Sequence, residues 1–501
     1  MKQDYIHFNN SYLTLPSEFY TKIKPRVPSK PAIIEINTTL AKKLNLPLSY
    51  LNSVKGLNFL SGSKIANGSD PIATVYAGHQ FGHFSSQLGD GRAILLGEVI
   101  DKRNKRFDIQ LKGSGRTPYS RAGDGNAAMG PVLREYIVSE AMHAMGIPTT
   151  RSLAAISTGD NVIRDRILPG ALLVRVAQSH IRVGTFEFFA ARGRFNDVAS
   201  LANYSIRRHF PKLKNKRDRY LGLLNAATLR QAQLVAKWMS VGFVHGVMNT
   251  DNMLISGETI DYGPCAFMDE YNPEQVYSSI DYQGRYKFSN QPKIAQWNLS
   301  RLAETLLPII AQKPEEAVPE AQKIIETFES HYTKHFEELM LKKIGVPFAK
   351  SKNDRKIFYH LKKFLNILKN QKSDYTNSFR TLEDHLAGKI ISKNLNCPDL
   401  TIETKLWVKD WISMLNHMNL DQKTILKNLR ESNPRVIPRN HQIEKIIQNS
   451  VFNIQNGHFD FTLFKALEKV CSSPFKQLTN TYDFALPPSI SEKVRETFCG
   501  T

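Results

Sequence analysis

The 501-residue sequence predicts an α+β fold in two lobes, strand-rich first and helix-rich second, with additional helices toward the C-terminus. Three observations carry this. Residues 71–170 are Gly-rich and hold two strand-like stretches, one apolar and one alternating, separated by a charged turn. From about residue 295 onward the apolar residues recur at helical spacing. At 41% hydrophobic residues, the chain has enough apolar side chain for a substantial core. The expected division is 1–170 for an N-terminal region and first lobe, 171–330 for a second lobe, and 331–501 for a helical extension packed on it.

The elements follow in order. Residues 1–70 are mixed, with a short helix over Leu40–Leu44 ending before Pro47 and a polar loop from Ser61 to Asp70. Ala93–Ile100 reads as a strand, Asp101–Arg106 as a turn, and Phe107–Lys112 as the returning strand. A helix is predicted over Val132–Met145, opened by Pro131 and ended by Gly146 and Pro148. A strand over Gly170–Ala177 comes next, then a helix over Asn225–Val241. Met253–Ser256 and Thr259–Asp261 are read as two short strands of a hairpin around Gly257. Loops are expected near Asn433–Arg439 and Ser472–Phe475, and no internal repeat is visible.

Composition excludes several classes. No stretch of eighteen apolar residues occurs, so no membrane span is expected. Met1-Lys2-Gln3-Asp4-Tyr5 lacks a basic region leading into an apolar one, so no secretory signal is expected. Four cysteines do not make a disulfide framework, which points to a reducing compartment and a cytoplasmic location. The formal net charge of +21 suits a polyanion partner or simply a Lys-rich surface, as at Lys212-Leu213-Lys214-Asn215-Lys216-Arg217. No zinc-finger spacing, aromatic-basic RNA motif or DNA-reading helix supports nucleic acid. A monomer is expected.

The chemistry concentrates in His245-Gly246-Val247-Met248-Asn249-Thr250-Asp251-Asn252, followed by Asp261-Tyr262-Gly263. This resembles the catalytic segment of protein kinases, H-R-D-x-x-x-x-N and then D-F-G, with one residue displaced. Asn252 falls at the kinase asparagine. The position of the kinase catalytic aspartate holds Val247, which accepts no proton, and a carboxylate appears instead at Asp251. Asn252 and Asp261 offer the hard oxygen ligands that a magnesium–nucleotide complex needs. Lys112, at the end of its strand, suits nucleotide phosphates, and a carboxylate must hold it: Glu135 first, Glu140 as fallback. Gly89-Asp90-Gly91-Arg92 before the strand pair lets backbone approach phosphate, and Arg92 offers a bidentate contact. The loop from Gly113 to Gly125 adds Arg116 and Arg121. Arg175, inside an apolar strand, requires an anionic partner, either a carboxylate or a ligand phosphate. No Walker A pattern occurs.

Other residues read as structural. His79 and His83 are spaced for one helix face, but the surrounding glycines argue against a helix and so against a metal site. Trp407 and Trp411 read as a core stripe. Cys265, Cys397 and Cys471 have no C-x-x-C neighbours, and Cys499 lies third from the end.

The runs Tyr76-Ala77-Gly78-His79-Gln80-Phe81-Gly82, Gln87-Leu88-Gly89-Asp90-Gly91-Arg92, Gln110-Leu111-Lys112-Gly113-Ser114-Gly115, the His245–Asn252 segment, Asp261-Tyr262-Gly263-Pro264 and Asp281-Tyr282-Gln283-Gly284-Arg285-Tyr286 together resemble the selenoprotein O family. The resemblance implies a kinase-like pseudokinase fold that acts as a protein adenylyltransferase. ATP would bind in flipped orientation, and AMP would pass to Ser, Thr or Tyr hydroxyls of target proteins. It implies Asp251 as proton acceptor, Asn252 and Asp261 as ligands of Mg2+ or Mn2+, and nucleotide contacts from Gly89, Gly91, Arg92, Lys112, Asp124, Gly125, Arg175, Arg182 and Asp261, with Glu135 supporting Lys112. Uridylyl transfer from UTP stays open. Cys499 matches a C-terminal selenocysteine or cysteine of the family, but Gln275-Val276-Tyr277-Ser278-Ser279 lacks the cysteine that some bacterial members carry there. Two rival readings are a conventional kinase with a displaced base and a non-catalytic nucleotide- or nucleic-acid-binding scaffold.

Overall fold

Alternation along the strands gives the molecule a sheet with two buried faces. The computed structural model describes residues 6–347, 355–389, 395–398, 401–476 and 482–497. The strands are β1 (Tyr20–Lys22), β2 (Ala32–Ile36), β3 (Ile72–Thr74), β4 (Gly78–Gln80), β5 (His83–Ser85), β6 (Ala93–Ile100), β7 (Arg106–Lys112), β8 (Ala127–Ala128), β9 (Arg151–Ile163) and β10 (Ile167–Ala177). Eight of them form one sheet in the order β1-β3-β6-β7-β10-β9-β2, with β8 also on β10, and every pairing is antiparallel. β4 and β5 make a separate hairpin.

The side-chain period of two assigns the faces. Leu172, Val174 and Val176 of β10 and Ile109 and Leu111 of β7 enter one core, together with Leu40 and Leu44 of α1 (Thr38–Lys43) and its neighbourhood. Two further short helices, α2 (Leu48–Leu51) and α3 (Val54–Leu60), complete that layer. Ala171 and Leu173 face the opposite way, into a larger core that α4 (Met129–Ala144) shares. Gln110, Lys112 and Arg175 alternate with the apolar set, so they stand on the α4 side.

The helical part begins with α5 (Val183–Ala190), α6 (Phe195–His209) and α7 (Arg219–Ser240). Two-residue strands β11 (Phe243–Val244) and β12 (Ala266–Phe267) flank the motif segment. Then come α8 (Gln291–Ile310), α9 (Pro314–Lys343), α10 (Arg355–Asn370), α11 (Tyr375–Arg380), α12 (Leu382–Leu386), α13 (Ile402–His417), α14 (Gln422–Ser432), α15 (Asn440–Gln455) and α16 (Thr462–Cys471). Their apolar stripes join the larger core. Trp407 and Trp411 are fully buried in it, with rings 5.6 Å apart, which makes them a core stripe.

One predicted element is absent. Met253–Ser256 and Thr259–Asp261 do not pair as a hairpin. Leu254 bridges Arg182 instead, and Thr259 bridges Thr149. Gly257 (φ 75°) lies in a turn in which its N–H reaches the Leu254 carbonyl at 3.1 Å. An isolated pair of strands this short is marginal, and the longer-range partners satisfy the same backbone groups. The helix predicted from Val132 starts three residues earlier, at Met129.

Candidate active site

Cross-strand register brings the charged groups together. Arg175 of β10 stands opposite Gln110 of β7, two residues from Lys112. Arg175 donates through Nε and Nη2 to Gln110 Oε1, at 3.2 and 2.6 Å. From α4, Glu135 accepts from both cations: Lys112 Nζ at 2.6 Å on Oε2 and Arg175 Nη1 at 3.2 Å on Oε1. The ion pair read from the sequence is therefore present, and the fallback Glu140 is engaged elsewhere, with Arg151. Lys112 also contacts Asp261 closely, and Arg175 lies 3.5 Å from it. Burial alone would raise the Asp261 pKa. Lys112, Arg175, Arg182 and Arg92 outweigh it and hold the carboxyl well below its ordinary range. Arg175 is almost fully buried, so its need for an anion is met by carboxylates in the free protein.

Asp251 lies in a 3-10 turn, Thr250–Asn252, fixed from both sides. The His79 N–H donates to Thr250 Oγ1 at 2.7 Å, and that hydroxyl donates to Glu187 Oε2 of α5 at 2.5 Å. The Phe81 N–H and the Tyr286 hydroxyl both donate to Asn249 Oδ1, at 3.2 and 2.7 Å. Arg182 Nη1 donates to the Asp251 carbonyl at 2.6 Å, and its guanidinium lies 4.4 Å over the Tyr76 ring. Gln80 Nε2 donates to Asp251 Oδ2 at 3.3 Å, while Oδ1 is buried without a partner among the described residues. Burial pushes the Asp251 carboxyl up to about 7 even though Arg182 pulls it down. Gly78 makes this seat possible: a Cβ there would sit 2.6 Å from Asp251 Oδ1.

His245 is a brace. Its Nε2–H donates to the Ile260 carbonyl at 2.9 Å and its Nδ1 accepts from the Val247 N–H at 3.3 Å, which fits the neutral ring. Burial lowers its pKa in the same sense. It ties the Asp251 segment to the Asp261 segment. Asn252 Nδ2 donates to the Val247 carbonyl at 3.0 Å, and among the described residues Asn252 Oδ1 is left buried with no partner. An orphaned amide oxygen and an ionised Asp261 suit a hard divalent cation. Among the described residues no three His, Cys, Asp or Glu side chains converge to hold a metal. Two protein oxygens suit an ion whose other ligands are phosphates and water.

A cavity of about 540 Å³ opens beside Asp251. Gly89, Gly91, Arg92, Asp124 and Gly125 line it, as does Gln80. Asp90 is a brace within that glycine turn, accepting from Thr74 N–H at 3.0 Å, Thr74 Oγ1 at 2.6 Å and Gln110 Nε2 at 3.3 Å. Arg164, from the β9–β10 hairpin, clamps Asp124 with two bonds of 3.1 Å and lowers its pKa. Arg164 and Gln80 went unremarked in the sequence. Gln80 sits in a run read for its histidines and for the family resemblance but given no role of its own, and Arg164 sits in a polar hairpin tip with no motif around it. His79 and His83 lie on β4 and β5, so no helix face holds them, and His79 Nδ1 is 2.5 Å from Glu187 Oε1.

Comparison with known proteins decides the family. The family profile described as protein adenylyltransferase SelO matches residues 3–472. The chain belongs to the SelO family. It is 48% identical to a protein named protein nucleotidyltransferase YdiU from Rhizobium johnstonii over 503 residues, 99% of this chain and 97% of the other. Proteins of the same name from Bacillus cereus and Brevibacillus brevis are 46% and 47% identical, each over 99% of this chain and 98% of their own length. The SelO family is one of enzymes, of the nucleotidyltransferase class. Like the sequence, the described helices include none long and apolar enough to cross a membrane. In this SelO-family chain the Thr497 N–H reaches the Tyr277 carbonyl at 2.7 Å, beside the cysteine-free stretch Gln275–Ser279. Cys499 itself lies outside the described residues.

Proposed function

We propose that this chain transfers AMP from ATP to Ser, Thr or Tyr hydroxyls of target proteins, releasing pyrophosphate. The nucleotide binds reversed relative to a kinase, within a kinase-like two-lobed framework. The observation that supports this best is the position of Asp251. A buried carboxylate lines the nucleotide-sized cavity, while Val247 occupies the place of the kinase base. The bound protein hydroxyl gives its proton to the Asp251 carboxylate. Its oxygen attacks the α-phosphorus, a P–O bond forms, and the bond to the pyrophosphate oxygen breaks. Lys112, Arg92, Arg175 and Arg182 offset charge on the phosphates, and Glu135 keeps Lys112 and Arg175 in place. Gly89, Gly91, Asp124 and Gly125 shape the nucleotide's seat. Asn252 and Asp261 would hold Mg2+ or Mn2+, which supplies further neutralisation of the phosphates when bound.

Asp251→Ala tests the assignment. It is expected to lose protein labelling by at least a hundredfold while ATP binding, read by titration calorimetry, stays within a few-fold of wild type. Labelling at the wild-type rate would remove Asp251 from the mechanism.

A further inference from the structure

A second cavity, of about 520 Å³, lies between α7 and α9. Arg230, Gln233 and Lys237 are spaced i, i+3 and i+7 on α7, so they share one side of that helix. α9 brings His335 and Glu338 from across, and the Ser256–Gly257 turn closes one wall. Pro148 and Gln178, from the segments flanking β9 and β10, complete the rim. The volume is within the usual range of small-molecule sites.

Among the described residues the cations here lack acidic partners. Arg230 donates to the carbonyls of Ser256 and His209, both at 3.1 Å. Lys237 donates to the Gly146 carbonyl at 2.7 Å, which leaves two of its three protons. Among the described residues neither has a carboxylate within 4.0 Å. Glu338 lines the cavity, but it is paired with Lys342 at 3.5 Å. Glu258, whose field reaches Arg230, is turned to the Ser256 hydroxyl at 2.9 Å and the Gln178 N–H at 3.0 Å. Burial pushes that carboxyl up to about 7, so it is only partly ionised at neutral pH. Burial also lowers the pKa of both Arg230 and Lys237, as expected for cations denied full hydration. Gln233 Nε2 donates to His335 Nε2 at 3.2 Å, which leaves the His335 Nδ1–H as a further donor.

We infer that this cavity binds a phosphate-bearing small molecule, at a site separate from the nucleotide cavity. Among the described residues, two cations without carboxylate partners and a histidine N–H match a compact dianion better than a monocarboxylate. The binding does not depend on the nucleotidyl-transfer reading.

Titration calorimetry of the full chain with inorganic pyrophosphate tests it. Lys112→Met removes a main phosphate contact of the candidate active site, and one binding event is expected to remain in that variant. Adding Lys237→Gln is expected to weaken the event about tenfold. Adding Gln233→Glu instead places a carboxylate beside Lys237 and His335 and is expected to abolish it. Gln233→Glu removes no bond to the Ser256–Gly257 turn, so the thermal melt should match that of the Lys112→Met parent. No binding in Lys112→Met, or binding indifferent to both added changes, overturns the proposal.

Discussion

Gly78→Ala perturbs the proposed base through a single methyl group. Gly78 begins β4, outside the left-handed backbone region, so alanine is conformationally allowed there. The added Cβ would meet Asp251 Oδ1 at 2.6 Å, its Cβ at 3.0 Å and its Cγ at 3.1 Å. Ordinary contact begins near 3.4 Å, so the carboxylate must give by about 0.8 Å. A displacement near 1 Å at a reacting group costs roughly a hundredfold in rate, so a fall of about ten- to a hundredfold is expected. Overpacking of this kind also costs about 1–3 kcal/mol of stability, too little to unfold most such chains at 25 °C. The assay is incorporation of α-labelled ATP into protein, with circular-dichroism melting and ATP titration on the same sample. The predicted pattern is a folded, ATP-binding protein with a large loss of transfer. Transfer at the wild-type rate in a folded variant would refute the claim that this seat positions the base.

Other changes probe separate parts of the structure. Arg164→Ala frees the Asp124 loop and is expected to raise the KM for ATP by up to about tenfold, with kcat little changed; initial-rate kinetics read this, and an unchanged KM sinks it. Glu135→Gln removes the more buried of the two carboxylates that Arg175 and Lys112 share, leaving Asp261, and should cost on the order of 3 kcal/mol, seen in chemical denaturation. Lys343, buried between the Tyr375 and Phe379 rings, has its pKa lowered to about 7 by burial. Between pH 7 and 10.5 the folded state binds fewer protons at Lys343 than the unfolded state, so its penalty is full below pH 7 and fades as pH rises. Lys343→Met is therefore expected to stabilise the protein by roughly 2–4 kcal/mol at pH 7 and by little near pH 10; a pH-independent difference would contradict this.

Much of the site was legible because its residues sit where local pattern is strong. β6 is a near-continuous apolar run and β7 alternates polar and apolar residues after a charged turn, and together they locate Lys112 to the residue. The helix opened near Pro131 offers Glu135 at once, and the 2.6 Å pair needs no long-range information beyond strand-to-helix packing. The Asp251–Asn252 and Asp261 segments were recognisable by spacing, but their backbone was not. A hairpin fits their sequence, whereas the real partners, Arg182 and Thr149, are distant in the chain. The strands β1 and β2 and the helices α2 and α3 escaped notice because each is three to seven residues long and lacks a repeating pattern. Gln80 and Arg164 share that difficulty: each matters through one partner, Asp251 or Asp124, that only the folded chain brings near.

Parallel labelling with α- and γ-labelled ATP tests the central claim most directly. The account predicts that α-label becomes covalently attached to protein, that γ-label leaves as pyrophosphate, and that Asp251→Ala abolishes the attachment. Stable protein labelling from the γ position, with none from the α position, would contradict it.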